Sequence, residues 1–500
     1  MSFEFLKSIV NRIKLLDGEV CEYKTFGRNP YIPAIAYVNW AIHLAEMGKF
    51  EDAEDKLISS THMAYQTPEA YIHLALLKIK EQNFEEAYDL LDKSIRLDRR
   101  NARAYCFLGN VLTEVGNYKD AEKKFKVAQK LEPNNSDIFL NWGISLIKQR
   151  KFVEAREKLQ KACKLNMSNF TALYFWGIVE LELGDNEKAK AKFQLIISVI
   201  HNHYEALYYL AYIKFKEKNY RESLNYALRS LEFYTKKTET YMLIAENYMF
   251  LGDEANSLKY YEMGEKEAPV NYYFLISWGT TLQKFNQFEE SKTKFQSAVE
   301  MDSENDLGYA CLGLSNYRTN NTDEAMEIFD KTLKINPQNI VALENLGQIH
   351  FEKQEYQISI SYFEQVIKNS AKAIKNYHKI ANAYFLDNNL TKAGEYFKKA
   401  SEYQPDEIYV HIGYAKVLLA QRDYKLALRK IRTAYKLDEN NIDCLNILFY
   451  VNYVLAKENL YDYNIGDAIR LAEKIEKSHP DLFRYPNEKE ELISILKDRH

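Results

Sequence analysis

Residues 102–135 read ARAYCFLGNVLTEVGNYKDAEKKFKVAQKLEPNN. Tyr105, Leu108, Gly109 and Leu112 recur at helical spacing on one face, and so do Ala121, Phe125 and Ala128. Gly116-Asn117 breaks the chain between these two amphipathic helices. Pro133 stands where the second must stop. Moving outward in both directions, the same arrangement returns every 34 residues, from Ala34 to Asn441, as twelve units without a slip. A fixed period of this length means one supersecondary unit stacked on copies of itself.

The small residues carry the register. With each unit numbered 1 to 34 from Ala34, position 8 is only Ala or Gly, from Ala41 and Ala75 through Gly109, Gly143 and Gly177 to Ala381 and Ala415. Position 20 is only Ala or Ser, from Ala53 through Ser223, Ser257 and Ser291 to Ala427. A longer side chain at either place would push two helix backbones apart and open voids. Large apolar residues complement them. Position 7 includes all four tryptophans (Trp40, Trp142, Trp176 and Trp278), which reads as core. Position 24 is mostly Leu or Phe, as at Phe125, Phe193, Phe295, Phe329, Phe363 and Phe397.

The run Tyr105, Leu108, Gly109, Ala121, Phe125, Ala128 and Pro133 resembles the tetratricopeptide-repeat motif, and Phe139, Trp142, Gly143, Ala155 and Ala162 repeat most of it. The resemblance implies an all-α, right-handed superhelical solenoid of stacked helix-turn-helix units. It is specific for fold and says little of function. The expected layout is an N-terminal capping helix and linker over 1–33, the twelve repeats over 34–441, a divergent thirteenth repeat with an insertion over 442–481, and a C-terminal capping helix over 482–500. In 1–33, Phe3, Leu6, Ile9, Ile13 and Leu16 share a helix face that suits capping, with docking on a membrane or a partner as the other use. The insertion lies around Lys457 to Gly466.

Composition narrows the function class. Charged residues are 28% of the chain and Gly and Pro are few, which marks a folded protein. A formal net charge of -4 without a Lys/Arg block argues against nucleic acid as partner. The five cysteines, Cys21, Cys106, Cys163, Cys311 and Cys444, are isolated, so neither a zinc site nor a disulfide framework is indicated. A reducing, cytoplasmic compartment fits. No apolar run reaches membrane-spanning length. No phosphate loop, HExxH or nucleophile elbow occurs, and His201 and His203 read as surface residues. No enzyme activity, cofactor or metal is expected.

Function then falls to the first helices, whose positions 2, 5, 6, 9, 12 and 13 line a ligand-facing groove in the family. Carried over, these positions give an apolar stretch of Tyr174, Phe175, Ile178, Tyr208, Tyr209, Tyr212, Phe215, Met242, Leu243, Met249 and Phe250. Such a surface suits an apolar peptide or helix. They also give a polar stretch of Asn345, Gln348, Lys375, His378, Lys379, Asn382 and Lys416, which could grip a carboxylate, although Glu344 intrudes. Position 6 is Asn only at Asn39, Asn141 and Asn345, so the Asn ladder by which some family members hold peptide backbones is broken. The expectation is a protein-binding scaffold or adaptor. Open beside it are a co-chaperone-like binder of acidic C-terminal tails, a regulatory subunit of a separately encoded glycosyltransferase or secretion complex, and self-association.

Overall fold

A computed structural model describes residues 31–63, 67–369, 376–458 and 463–498. The described residues form 27 α-helices and no strand. The N-terminal stripe from Phe3 to Leu16, Cys21 and Lys375 lie outside the described residues. Two compact units are present, one ending at Met263 and one beginning at Gly264.

Each 34-residue period is a pair of antiparallel helices, and each pair packs on the next within its unit. The first period is α1 (Tyr31–Glu46) and α2 (Phe50–Met63). The third is α5 (Ala102–Glu114) and α6 (Tyr118–Leu131). Asparagine caps recur at both helix starts. Asn101 accepts from the Ala104 amide at the start of α5, and Asn117 from the Asp120 amide at the start of α6. Helix α1 reaches back into the expected linker, with Pro33 in its first turn, where a missing N–H costs nothing.

Position 15 closes every first helix in the left-handed region. It is glycine at Gly48, Gly116, Gly184 and Gly252, and a residue with a side chain in the other eight repeats, including Arg150, Lys218, Asn388 and Arg422.

Glycine at position 8 is a matter of room. A methyl group on Gly177 would lie 2.7 Å from the Phe193 ring, one on Gly279 2.5 Å from Phe295, and one on Gly347 2.8 Å from Phe363. The small residue and the position 24 ring are therefore one packing decision. The serines at position 20 are satisfied inside the core. Ser223, Ser257 and Ser359 each donate to the carbonyl at position 8 of their own repeat. Others reach the next repeat. Asn247 donates to Ser223 at 2.9 Å, while Ser315 pairs with Ser291 at 2.8 Å and accepts from Gln283 at 2.7 Å.

The tryptophans do not all read as core. Trp142 is 5% exposed and stacks on Phe125 of the preceding repeat. Trp278 is also buried, Trp176 is half-buried, and Trp40 is 49% exposed. No described repeat precedes Trp40 to supply the covering ring. At the other end, α25 (Ile442–Lys457) and α26 (Tyr463–Ser478) absorb most of the expected insertion as longer helices. Helix α27 (Pro486–Asp498) buries Leu492 against Phe449 and Ala468.

Candidate functional site

Three consecutive first helices carry the aromatic stretch: α9 (Phe170–Glu182), α11 (Tyr204–Lys216) and α13 (Thr238–Leu251). Tyr209 stacks on the buried Phe193 ring at 5.2 Å, and Tyr174 meets Tyr209 edge-on at 5.9 Å. Phe175 packs on Tyr174, and Tyr208 on Tyr209, at 5.2 and 5.3 Å. A second group joins Phe215, Tyr220 and Phe250, the last two stacked at 4.8 Å. Tyr174, Phe175, Ile178, Tyr208, Tyr209, Tyr212, Phe215, Met242 and Met249 are each half-buried, and Phe250 is 49% exposed. Leu243 is a correction. It is 4% exposed and packs with Ala211, Ala227 and Ile244, because its side chain turns between helices rather than outward. Burial raises the Tyr208 phenol pKa far above its ordinary range, with Tyr209 and Glu239 adding to the shift. Burial also raises that of Tyr209, partly offset by a hydrogen bond with Tyr174.

The polar stretch lies on α19 (Ile340–Glu352), α21 (Tyr377–Leu386) and α23 (Ile408–Ala420). The two amides on α19 are engaged within the protein. Asn345 donates to the Val341 carbonyl at 2.7 Å, and Gln348 to Glu352 at 2.9 Å. Glu344 accepts from Asn376 at 2.6 Å. His378 meets the Tyr409 ring at 4.8 Å, and the Lys379 ammonium lies 5.5 Å from the centre of the Phe363 ring. Asn382 and Lys416 are half-buried. Two carboxylates thus stand among the residues expected to hold an anion.

Models of the tetratricopeptide repeat match residues 73–136, 276–340, 340–372 and 374–407. Over those residues the chain carries tetratricopeptide repeats. Among curated proteins it is similar to anaphase-promoting complex subunit 3 of Schizosaccharomyces pombe, 24% identical over 42% of this chain and 32% of that protein. It is likewise similar to the mitochondrial import receptor subunit TOM70 of Rattus norvegicus, 24% identical over 45% of this chain and 40% of that one. The chain spans about a third of the length of the first curated relatives it matches. Among solved structures, yeast Tom70 aligns with a TM-score of 0.39 and 16% identity over 89% of this chain and 99% of that one.

The tetratricopeptide frame leaves several residues unannounced. Lys237, the last residue of its repeat, lies 3.8 Å from the Tyr208 ring centre. His203 is half-buried and caps α11, accepting from the Ala206 amide where other repeats carry Asn. Each position 7 aromatic takes a lysine from position 23 of its own repeat: Lys56 over Trp40, Lys158 over Trp142, Lys192 over Trp176, Lys294 over Trp278 and Lys430 over Tyr414. A count of the 7-and-23 pairs would have found this pattern. Trp176 also donates to the buried Glu180 carboxylate at 2.7 Å. Among the described residues no cluster of potential metal ligands occurs, and no helix is long and apolar enough to cross a membrane.

Proposed function

We propose that this protein is a non-catalytic scaffold that holds partner proteins on the exposed side of its first helices, chiefly on α9, α11 and α13. The observation that carries the reading is the run of partly exposed rings there, from Tyr174 to Phe250, on three successive helices. Rings of this kind supply large contact area at low entropic cost, which is why they dominate interface energies. Relatives named as a subunit of a complex and of an import receptor support membership in a larger assembly. A cytoplasmic location is part of the same proposal, in keeping with isolated thiols such as the buried Cys106 and Cys444.

The test is affinity capture with the full chain beside a Tyr208→Asp/Tyr209→Asp variant, with bound proteins identified by mass spectrometry. Partners lost only by the variant, at unchanged circular dichroism, are expected. A folded variant that keeps every partner sinks the proposal. The acidic-tail reading has less support, since Gln348 and Asn376 are already spent on Glu352 and Glu344. Under that reading partner affinity falls steeply with salt, and a flat salt response removes it.

A further inference from the structure

One helix breaks the charge pattern of all the others, and it belongs to the other unit from the aromatic face. Helix α24 (Tyr424–Leu437), the second helix of the twelfth repeat, carries Lys425, Arg429, Lys430, Arg432 and Lys436 and no Asp or Glu. Every other second helix of the twelve repeats has at least one carboxylate. Lys430 is half-buried, 5.0 Å from the Tyr414 ring centre and 3.3 Å from the Ser401 hydroxyl. Arg429, Arg432 and Lys436 are exposed and follow one another at i, i+3 and i+7 on one face. A surface cleft of about 380 Å³ runs along them, lined by Lys425, Leu428, Arg429, Arg432, Thr433 and Lys436.

The row is open. Among the described residues neither Arg429 nor Lys436 joins an ion pair, and Arg432 meets only Asp467, at 3.8 Å, with both side chains close to half exposed. An exposed pair of that kind contributes little and exchanges readily. Like charges three and four residues apart on one helix repel, so the row costs the unbound protein stability. The row is also narrow. With Ala393, Ala427 and Ala468 aligned, the neighbouring helices α22 (Leu390–Tyr403) and α26 bring a carboxylate to each equivalent position. Glu395 stands beside Arg429, Glu473 beside Arg432 and Glu402 beside Lys436, and all three are exposed. A lipid surface or a nucleic-acid duplex, broader than one helix, would meet those carboxylates. A single acidic helix would not.

We propose that the outer face of α24 takes an acidic helical segment of a partner protein, with three carboxylates set against Arg429, Arg432 and Lys436. The three cations span seven residues, roughly 10 Å along the axis, which carboxylates two turns apart on a partner helix match. The two guanidinium groups can each donate a pair of hydrogen bonds to a carboxylate, which lysine cannot. Side-chain charge is sufficient, so no free C-terminus is needed. This surface is separate from the ring-lined one and is a second place of attachment.

The test is fluorescence anisotropy at low ionic strength with a labelled, C-terminally amidated alanine-rich peptide, about four helical turns long, carrying Glu at i, i+3 and i+7. It is titrated with the full chain, with an Arg429→Gln/Arg432→Gln variant, and with a Lys398→Gln/Lys399→Gln variant that removes the same charge from α22. All four residues are exposed, so circular dichroism of both variants should match wild type. Affinity should fall about fivefold or more with the arginine pair and stay within about twofold with the lysine pair. A peptide with its three Glu spread around the helix should bind more weakly. Equal losses in the two variants, no loss in either, or no binding to wild type overturns the inference. So does arginine-dependent binding of phosphatidylserine vesicles or of a DNA duplex that matches the peptide's. The Tyr208→Asp/Tyr209→Asp variant should bind the peptide as wild type does, so this inference and the scaffold reading fail separately.

Discussion

Phe193 and Phe363 occupy the same place in their repeats, and what lies on them differs. Tyr209 stacks on Phe193 at 5.2 Å, whereas the Lys379 ammonium lies 5.5 Å from the centre of Phe363. Tyr209 and Lys379 are both position 6 of the following repeat. The floor is constant, because Gly177 and Gly347 leave the same room for a ring. The residue above it is free to be aromatic or cationic. The repeat can thus change the chemistry of its outer face without touching the contact that holds it together. A third case completes the series. Where position 8 is Ala381, a Phe still stands at position 24, and its ring lies against Gly413 at position 6.

The sharpest way to break this comparison is to move the floor. Gly177→Ala and Gly347→Ala should each cost about 1–3 kcal/mol, since a buried ring must shift. Shifting Phe193 presses it on Tyr209, so Tyr209→Gly beside Gly177→Ala rebuilds the combination found at Ala381, Phe397 and Gly413. A double-mutant cycle read by urea denaturation should give a coupling of about 0.5–3 kcal/mol. Additive costs would mean that floor and face are independent.

Next comes alkaline pH. The Tyr208 phenol is raised mainly by burial, and that of Tyr396 by burial and then by Glu364. A raised phenol pKa contributes stability in full below the unfolded value of about 10, and loses it as pH climbs toward the folded value. Between roughly pH 10 and 12 the urea midpoint should fall less for Tyr208→Phe than for wild type. At pH 7 the two tyrosines part. Tyr396→Phe breaks a 3.2 Å hydrogen bond to Glu364 and should cost about 0.5–1.5 kcal/mol, while Tyr208→Phe should cost less.

A smaller effect concerns the lysines over position 7. Lys192→Met should cost about 0.5–1 kcal/mol and Lys430→Met less, because Lys192 lies 4.0 Å from the Trp176 ring centre and Lys430 5.0 Å from that of Tyr414. Equal thermal shifts would remove distance as the deciding variable. A change of similar size is a gain. Lys218→Gly should add about 0.5–1 kcal/mol by relieving a left-handed residue, and Asn388→Gly less, since Asn tolerates that region. Thermal unfolding checks both.

Acidity adds a prediction within the first unit. His73, also at position 6, is buried, and burial with the Arg103 charge lowers its pKa to about 3. A depressed histidine pKa means that stability is full above the unfolded value of about 6.5 and is lost as pH falls toward 3. His73→Phe should flatten the decline of the urea midpoint over that window.

The fold was legible because its strongest constraint is steric and periodic. Gly109 and Ala121 recur as small residues for a reason that a single sequence displays twelve times. The outer faces were legible only as positions. Leu243 and Met242 are neighbours of similar chemistry, and only packing against Ala211 and Ile244 decides that Leu243 is covered. Trp40 was misread because burial of its position depends on a ring from the repeat before it, as Phe125 covers Trp142. The left-handed residues at Arg150 and Lys218 had no residue-type signal at all. Tertiary context imposes that conformation, and only the alignment with Gly116 and Gly184 hints at it.

The buried hydroxyls between repeats have a further consequence. Ser315 is met by Gln283 and Ser291 of the preceding repeat, while the equivalent residue one repeat later is Ile349. Excising residues 306–339 would keep the reading frame, the period and every helix. It would also set Gln283 and Ser291 against a hydrocarbon. A tandem array invites such losses, since recombination between like repeats deletes whole units at a stroke. Here the copies have stopped being interchangeable, and each has acquired an address.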